Sequence, residues 1–200
     1  MRPEATEPAP APRPGVDNVF FALTPEGQSG TQAINIQSGY LPQLGRNPYL
    51  VPENCLHVSL LDIGIKKNLV LRSFGTTIAM AKEAAGKLRV DSFEVVFDRA
   101  LSFDAKAAPK KAFVLQMSEG REQVLALCKK LKLCLAMAGV HSDDKATTPH
   151  MTLARAVQTM PLADVKPVRW TATRLVLVRS VVGETRHIPL QSWPLSADAA

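Results

Sequence analysis

Hydrophobic positions recur along this chain with two periods, one typical of strands and one typical of helices. Alternating or continuous apolar runs predict strands at residues 19–25, 56–64, 92–103, 111–118 and 148–157. Helical spacing predicts helices over 68–88 and 121–139, and a less regular pattern with three glycines covers 26–41. The final segment, RLVLVRSVVGETRHIPLQSWPL, predicts two strands around a Val-Gly-Glu turn.

This order of elements decides the fold class. Strands with antiparallel neighbours, separated by helices, predict an α+β fold and not a doubly wound parallel sheet. The 200 residues, 46% of them hydrophobic, suit one globular domain or two small lobes that share a core. We place this domain at residues 16–196, between a Pro/Ala-rich tail (1–15), which we expect to be disordered, and a short C-terminal end (197–200).

Composition indicates in which compartment the protein is expected to work and what kind of partner it favours. No apolar run is long enough to cross a bilayer, and the tail lacks the apolar stretch of a secretory signal. Cys55, Cys128 and Cys134 form neither an even disulfide set nor a CxxC metal site, which favours a reducing cytoplasm; we expect the last two to be core or half-buried residues. The net charge of +6 and the pI of about 9.4 favour anionic partners. GxGxxG and P-loop motifs are absent from the sequence.

Two short motifs place a histidine and a hydroxyl residue together. LHVSLL carries His57 and Ser59, and PHMTLA carries His150 and Thr152. Residues i and i+2 of a strand point to the same side, so each motif projects an imidazole and a hydroxyl from one face. The motifs lie almost half the chain apart, and each follows a helical segment. This indicates two similar halves that contribute one strand each to a shared cleft.

Two histidines in one cleft are compatible with four roles. Metal binding needs a third ligand, which neither motif offers at ligand spacing. A hydrolytic triad needs an activated nucleophile that contacts a histidine, and a carboxylate that orients this histidine. Cys55 lies on the same strand face as His57 by parity, but a shared face alone does not create these contacts. Metal-free acid-base catalysis and a structural role are the other two. His141, in a polar loop, and His187, expected at the rim or the sheet edge, lack the pattern.

Acid-base catalysis suits the opening of a cyclic phosphodiester. An imidazole with an ordinary pKa near 6.5 accepts a proton from water while a second, protonated imidazole donates one to the leaving alkoxide. Ser59 and Thr152 are placed to hydrogen-bond the phosphate oxygens, where charge accumulates in the transition state. Neither a metal nor any other cofactor is needed for this chemistry.

The two motifs in their context resemble a known family. VPENCLHVSL and TPHMTLAR, together with FFAL, FEVVFDRALSF, LVLVRS and WPL, resemble the two-histidine (2H) phosphoesterase superfamily, and within it the bacterial 2′-5′ RNA ligase or RNA 2′,3′-cyclic phosphodiesterase family. The similarity runs from about Val19 to Leu195. It implies a bilobal fold of two pseudo-symmetric lobes, each with an antiparallel-rich sheet and outer helices, around a central groove. It also implies metal-independent hydrolysis of a 2′,3′-cyclic phosphate to a 2′-phosphate, with reversible 2′-5′ RNA ligation as a side reaction of the same site.

The resemblance assigns roles by motif position. His57 is the expected proton donor to the 3′ oxygen, His150 the base that activates water, and Ser59 and Thr152 the residues that hold the phosphate. RNA termini or nucleotide 2′,3′-cyclic phosphates are the expected partners, without a membrane, and we expect a cytoplasmic monomer.

Four positions near the motifs need separate treatment. Ser59 stands where the family more often has Thr, which preserves the hydroxyl. Asp62 occupies a position that is usually apolar, and by parity it points away from His57. Arg155 matches the family motif, yet strict alternation places it opposite to the catalytic face unless a bulge intervenes. Phe103 is a candidate wall for a nucleobase, or else a core aromatic residue.

Two other functions remain open at this stage. One is a non-catalytic RNA- or nucleotide-binding protein with the same groove. The other is the same chemistry on a different cyclic or 2′-5′ phosphodiester, because substrate choice depends on loop residues that the motifs do not identify.

Overall fold

A computed structural model of the chain describes residue 11 and residues 17–63, 69, 73–103, 108–144 and 148–196. Most of the predicted tail and the last four residues lie outside this part of the chain, as does the start of the helix predicted over 68–88. None of the described helices is long and apolar enough to cross a membrane.

The described residues form ten strands, three helices and two short 3₁₀ turns. The helices are α1 (Ser29–Tyr40), α2 (Phe74–Gly86) and α3 (Arg121–Met137), and the turns cover Leu41–Gln43 and Glu53–Cys55. The strands are β1 (Asn18–Leu23), β2 (Tyr49–Leu50), β3 (Val58–Asp62), β4 (Phe93–Phe103), β5 (Lys111–Gln116), β6 (Asp143–Asp144), β7 (His150–Ala156), β8 (Ala163–Ala172), β9 (Arg174–Val181) and β10 (Arg186–Pro194).

The strands join into one antiparallel sheet with two halves. Its order is β10-β9-β1-β3-β7-β5-β4-β8, with β2 paired to β7 and β6 paired to β3. β10, β9, β1 and β3 form one half, and β7, β5, β4 and β8 form the other. The halves meet where Val58 of β3 pairs with Met151 of β7. The predicted α+β fold, with an antiparallel-rich sheet in each of two lobes, is confirmed, and the two histidine motifs lie at the junction.

The helices pack across the two halves. α1, which follows the first strand, contacts β7 and β8 of the other half, while α3 packs against β3 and α2. On α3 the buried positions are spaced by three or four residues, as an amphipathic helix requires: Val124, Leu127, Cys128, Leu131 and Leu135. Cys128 is buried and Cys134 half-buried, as predicted. α2 and α3 cover the half that contains β3 and β10, α1 covers the half that contains β7 and β8, and the buried residues of both halves form one continuous core.

The sequence patterns missed one long strand. β8 alternates between buried and exposed residues toward its end, but Pro167 lies within it. A proline removes a backbone donor, which argues against a central strand. β8 avoids this conflict because it lies at the edge of the sheet, beside β4. The two-residue strands β2 and β6 were also not predicted.

Candidate active site

The histidine and hydroxyl side chains of both motifs line one cavity of about 380 Å³. His57 and Ser59 reach it from the start of β3, and His150 and Thr152 from the start of β7. All four side chains are half-buried, whereas the alternate residues Leu56, Val58 and Leu60 are in the core. The structure therefore brings together the four residues that strand parity selected.

Both imidazoles are held by the same backbone contact. Nδ1 of His57 lies 2.8 Å from the carbonyl oxygen of Cys55, and Nδ1 of His150 lies 2.9 Å from that of Thr148. A carbonyl only accepts hydrogen bonds, so Nδ1 is the protonated nitrogen of each ring. Nε2 of each ring is therefore left for the cavity, where it acts as a base when neutral and as an acid when protonated.

Burial makes both histidines weaker proton acceptors than an imidazole in water. Burial lowers the pKa of His57; the bond to Cys55 opposes this effect, and the nearby His150 adds to it. Burial also lowers the pKa of His150, opposed by the bond to Thr148 and reinforced by the positive charge of Arg155. Both pKa values therefore lie below 6.5 in the ligand-free protein.

A β-bulge brings Arg155 to the face of β7 that carries His150 and Thr152. β7 pairs with β5 through Thr152 and then Ala154, so Leu153 is an extra residue without a partner in the register. Leu153 and Ala154 are both in the core, and the alternation is shifted by one position beyond them. Arg155 consequently lines the cavity.

The first motif has a bulge at the equivalent position. β3 pairs with β1 through Ser59 and then Leu61, which leaves Leu60 as the extra residue. Asp62 therefore lies on the same face as His57 and Ser59 and lines the cavity. The prediction that Asp62 points away from His57 was wrong, because strict alternation does not hold across the bulge.

Cys55 does not occupy the strand position that parity assigned to it. It ends a 3₁₀ turn, and its thiol donates a hydrogen bond to the carbonyl oxygen of Thr185 at 3.6 Å. Burial raises the pKa of this thiol, which disfavours the reactive thiolate. Although Cys55 lines the cavity, its environment is that of a structural cysteine.

The Phe103 ring contacts the His150 ring. The two rings lie 4.8 Å apart at an interplanar angle of 70°. Phe103 ends β4 and is half-buried. Its predicted contact with a nucleobase stays a prediction.

The structure also brings His187 into this cavity, whereas the sequence predicted a position at a rim or a sheet edge. β10 is an edge strand, but the His187 ring lies 4.9 Å from the His57 ring and lines the cavity. Burial, together with the nearby His57, lowers the pKa of His187 to about 4. No signal in the local sequence identifies this residue, because β9 and β1 lie between β10 and β3 in the sheet. His141 instead contacts Asp143, with 3.0 Å between its Nε2 and the Oδ1 of Asp143.

Within the part of the chain that the structure describes, no group of three or more His, Cys, Asp and Glu side chains is arranged to hold a metal ion.

Comparison with known proteins links this cavity to one family. The family model described as the 2′-5′ RNA ligase superfamily matches residues 38–184, a range that contains both histidine motifs. No curated protein matches the chain by sequence.

Solved structures share the fold. Apo LigT of E. coli is 21% identical over 90% of this chain and 98% of its own, with a TM-score of 0.70. E. coli LigT complexed with 3′-AMP is also 21% identical, over 90% of this chain and 97% of its own, with a TM-score of 0.66. TT0787 of Thermus thermophilus is 20% identical over 90% of this chain and 99% of its own, with a TM-score of 0.72.

Proposed function

The chain belongs to the 2′-5′ RNA ligase superfamily, and on that premise we propose that it is a metal-independent RNA 2′,3′-cyclic phosphodiesterase. The observation that carries the proposal is the pair of imidazoles that share one cavity. Each has Nδ1 bonded to the backbone and a hydroxyl residue beside it on the same face. Acid-base catalysis at a phosphorus atom requires one group that accepts a proton and one that donates a proton, and the two imidazoles can supply both.

The proposed reaction opens the cyclic phosphate by attack of water. Nε2 of neutral His150 takes a proton from the water, whose oxygen forms a bond to phosphorus. The bond between phosphorus and O3′ breaks, and protonated His57 donates its Nε2 proton to O3′. The product is a 2′-phosphate with a free 3′-hydroxyl, and proton exchange with solvent restores the starting protonation states.

The environment of His150 suits the role of the base. Burial, reinforced by the positive charge of Arg155, lowers the pKa of His150 and so favours the neutral form that a base requires. Ser59 and Thr152 are the expected donors to the non-bridging phosphate oxygens, where their hydroxyls offset the charge that develops in the transition state. We also propose that the Arg155 side chain contacts the substrate phosphate.

The same site also accounts for ligation. If the 5′-hydroxyl of a second RNA replaces water, His150 removes its proton and His57 again protonates O3′. The bond that forms then joins a 2′ oxygen to a 5′ oxygen through phosphorus. A 2′-5′ linkage is therefore the product that this geometry favours, and its cleavage is the reverse reaction.

The expected partners follow from this chemistry. We propose RNA termini or nucleotides with 2′,3′-cyclic phosphates as substrates of a cytoplasmic monomer. Structures of E. coli LigT complexed with ATP and with 3′-AMP are among those that share this fold, which supports a nucleotide as the ligand.

Hydrolysis of a 2′,3′-cyclic nucleotide in the presence of EDTA tests the proposal. We expect turnover without added metal, and a loss of about 10²- to 10⁴-fold in kcat for His57→Ala and for His150→Ala, since each removes one proton-transfer group. His141→Ala is the matched control: His141 is exposed and pairs with Asp143 of β6, neither residue lines the cavity, and the variant should retain full activity.

Three results of that experiment would contradict the proposal. Full activity in either catalytic variant would exclude the two-histidine mechanism. Salt-sensitive RNA binding without turnover would favour a non-catalytic binding protein. Turnover of 2′-5′ oligonucleotides or of another cyclic phosphodiester, with none on RNA cyclic phosphates, would indicate the same chemistry on a different substrate.

A further inference from the structure

Three aromatic rings contact one another at the His57 side of the cavity. The ring of Phe20 lies 4.9 Å from that of His57 at an interplanar angle of 34°, so the two rings partly face each other. The ring of His187 lies 4.9 Å from that of His57 at 70° and 5.6 Å from that of Phe20 at 76°. His57 is therefore contacted by two other rings, one tilted by 34° relative to it and one edge-on.

The position of His187 is fixed by contacts at the start of β10. The Thr185 carbonyl accepts a hydrogen bond from the Cys55 thiol at 3.6 Å, and the Thr185 hydroxyl accepts one from the Tyr49 hydroxyl at 3.2 Å. Cys55 is also the residue whose carbonyl oxygen holds His57. The backbone that anchors the His57 ring and the hairpin that carries His187 are thus connected directly.

We propose that His187 is a positioning residue for His57: its ring, with that of Phe20, keeps the His57 imidazole in one orientation and shields it from water, so that Nε2 stays directed at the leaving oxygen. The inference rests on the proposed function only for the identity of that oxygen.

A neutral His187 is suited to this role. Burial and the neighbouring His57 lower its pKa to about 4, so at neutral pH it carries no charge and does not compete with His57 for a proton. The side chains of the Asn18–Ser180–His187 row are cross-strand neighbours on β1, β9 and β10 and are uncharged at this pH. The His187 ring therefore acts on His57 through packing and the exclusion of water.

The titratable groups around this cluster come from several elements. They are His150 and Arg155 on β7, Asp62 on β3, Tyr49 on β2, Cys55 in the 3₁₀ turn, Glu184 in the β9–β10 turn and Arg186 at the start of β10. Of these, His150 acts on His57 through its charge: when both rings are protonated, His150 lowers the pKa of His57, as burial does. Removal of the His187 ring keeps all of these groups, so the changes expected at His57 come from lost packing and greater access of water.

Shielding by His187 has a measurable consequence for His57. Burial is the main cause of the lowered pKa of His57. Without the His187 ring, water reaches the His57 imidazole, and the pKa of His57 should rise toward its ordinary value. The ring should also lose its fixed orientation, and a catalytic group misplaced by about 1 Å costs on the order of 10²-fold in rate.

Two substitutions at one position separate packing from chemistry. In His187→Ala, we expect kcat on a 2′,3′-cyclic nucleotide to fall by about 10- to 100-fold with KM changed less than about threefold. In His187→Phe, which keeps an aromatic ring without nitrogens, kcat should stay within about threefold of the wild type. His141→Ala is the control for the loss of a histidine outside the cavity.

An NMR titration of the His57 ring proton is the second measurement, and it does not depend on turnover. The pKa of His57 should rise in His187→Ala and stay low in His187→Phe. If the wild type turns over no substrate, the proposed function fails while this titration still tests the positioning role.

Opposite results would overturn the inference. A His187→Phe protein that is folded but as inactive as His187→Ala would show that the imidazole nitrogens act on the substrate. Unchanged kcat and unchanged His57 pKa in His187→Ala would show that His187 has no effect on His57. If His187→Ala does not fold, the His187→Phe protein decides alone, because its loss of activity excludes a packing role.

Discussion

At the scale of single residues, His57 and His150 have the same backbone anchor and different neighbours. Each ring donates Nδ1–H to the carbonyl oxygen two residues earlier, so the backbone fixes the same tautomer in both. Arg155 acts on His150, whereas Phe20 and His187 pack against His57. The assignment of one ring as base and the other as acid therefore depends on these neighbours.

The pH dependence of kcat/KM follows from the lowered pKa values. The active form has one histidine neutral and the other protonated, and this form is most populated between the two apparent pKa values. Since both lie below 6.5 in the free protein, the bell-shaped profile of kcat/KM should have its maximum below pH 6.5. Initial rates across pH 4.5 to about 8.5 would check this. A maximum above pH 7 would show that burial does not lower the pKa values of His57 and His150 as expected.

Neutralisation of Arg155 tests the electrostatic part of that profile. Arg155→Gln removes the positive charge that lowers the pKa of His150, so one limb of the profile should move to higher pH. Arg169→Gln is the control, since Arg169 is an exposed residue of β8 that pairs with Glu94. An Arg155→Gln profile that overlays the wild type would show that its charge does not act on His150.

The alternation of faces along a strand predicted the orientation of four cavity residues correctly, but it did not predict the orientation of two others. His57, Ser59, His150 and Thr152 could be predicted because residues i and i+2 share a face before any irregularity occurs. Asp62 and Arg155 could not, since a single extra residue in the strand reverses the face of everything beyond it.

At the scale of elements, the two bulges make the halves of the site equivalent. Leu60 and Leu153 each follow a catalytic histidine by three positions and are each buried. Five positions after its histidine, each motif then presents a charged residue to the cavity, Asp62 in one and Arg155 in the other. Equivalent positions thus carry opposite charges, which makes the cavity asymmetric.

One buried amide connects α1 to the strand that carries His150. The Gln37 side chain donates to the carbonyl oxygens of Val51 and Leu153, at 2.8 and 2.7 Å. Gln37→Ala removes both donors, although the Leu153 carbonyl still accepts a hydrogen bond from the Val51 amide at 2.9 Å. The free energy of unfolding should fall by about 1–2 kcal/mol, since a lost buried hydrogen bond that leaves an acceptor unsatisfied costs roughly 1–3 kcal/mol. Urea denaturation provides the measurement.

The control for Gln37 lies on the same helix. Asn35 is exposed, so Asn35→Ala should change the free energy of unfolding by less than about 0.5 kcal/mol. Equal effects of the two substitutions would mean that helix propensity, and not the bonds to Val51 and Leu153, determines the loss.

The sequence predicted elements best where their pattern was strong. The apolar spacing of α3 and the alternation of β4 and β5 each agree with the structure. β8 was missed because its edge position, which makes Pro167 tolerable, is a property of the sheet and not of the strand.

At the scale of the whole molecule, the cavity depends on contacts between distant strands. The junction of β3 and β7 brings the two motifs together, as the repeated sequence pattern predicted. His187 reaches His57 from β10 across two intervening strands, which depends on the three-dimensional course of the sheet. Such a contact has no periodic signal in the sequence, and for this reason His187 could not be predicted.

The identity of the product is the most direct test of the account as a whole. A 2′,3′-cyclic nucleotide incubated with the protein in EDTA should yield only the 2′-phosphate, because His57 is proposed to protonate O3′ while His150 activates water. Separation of the 2′- and 3′-phosphates by chromatography measures this ratio. Formation of the 3′-phosphate, or no product with any 2′,3′-cyclic nucleotide, would contradict the account.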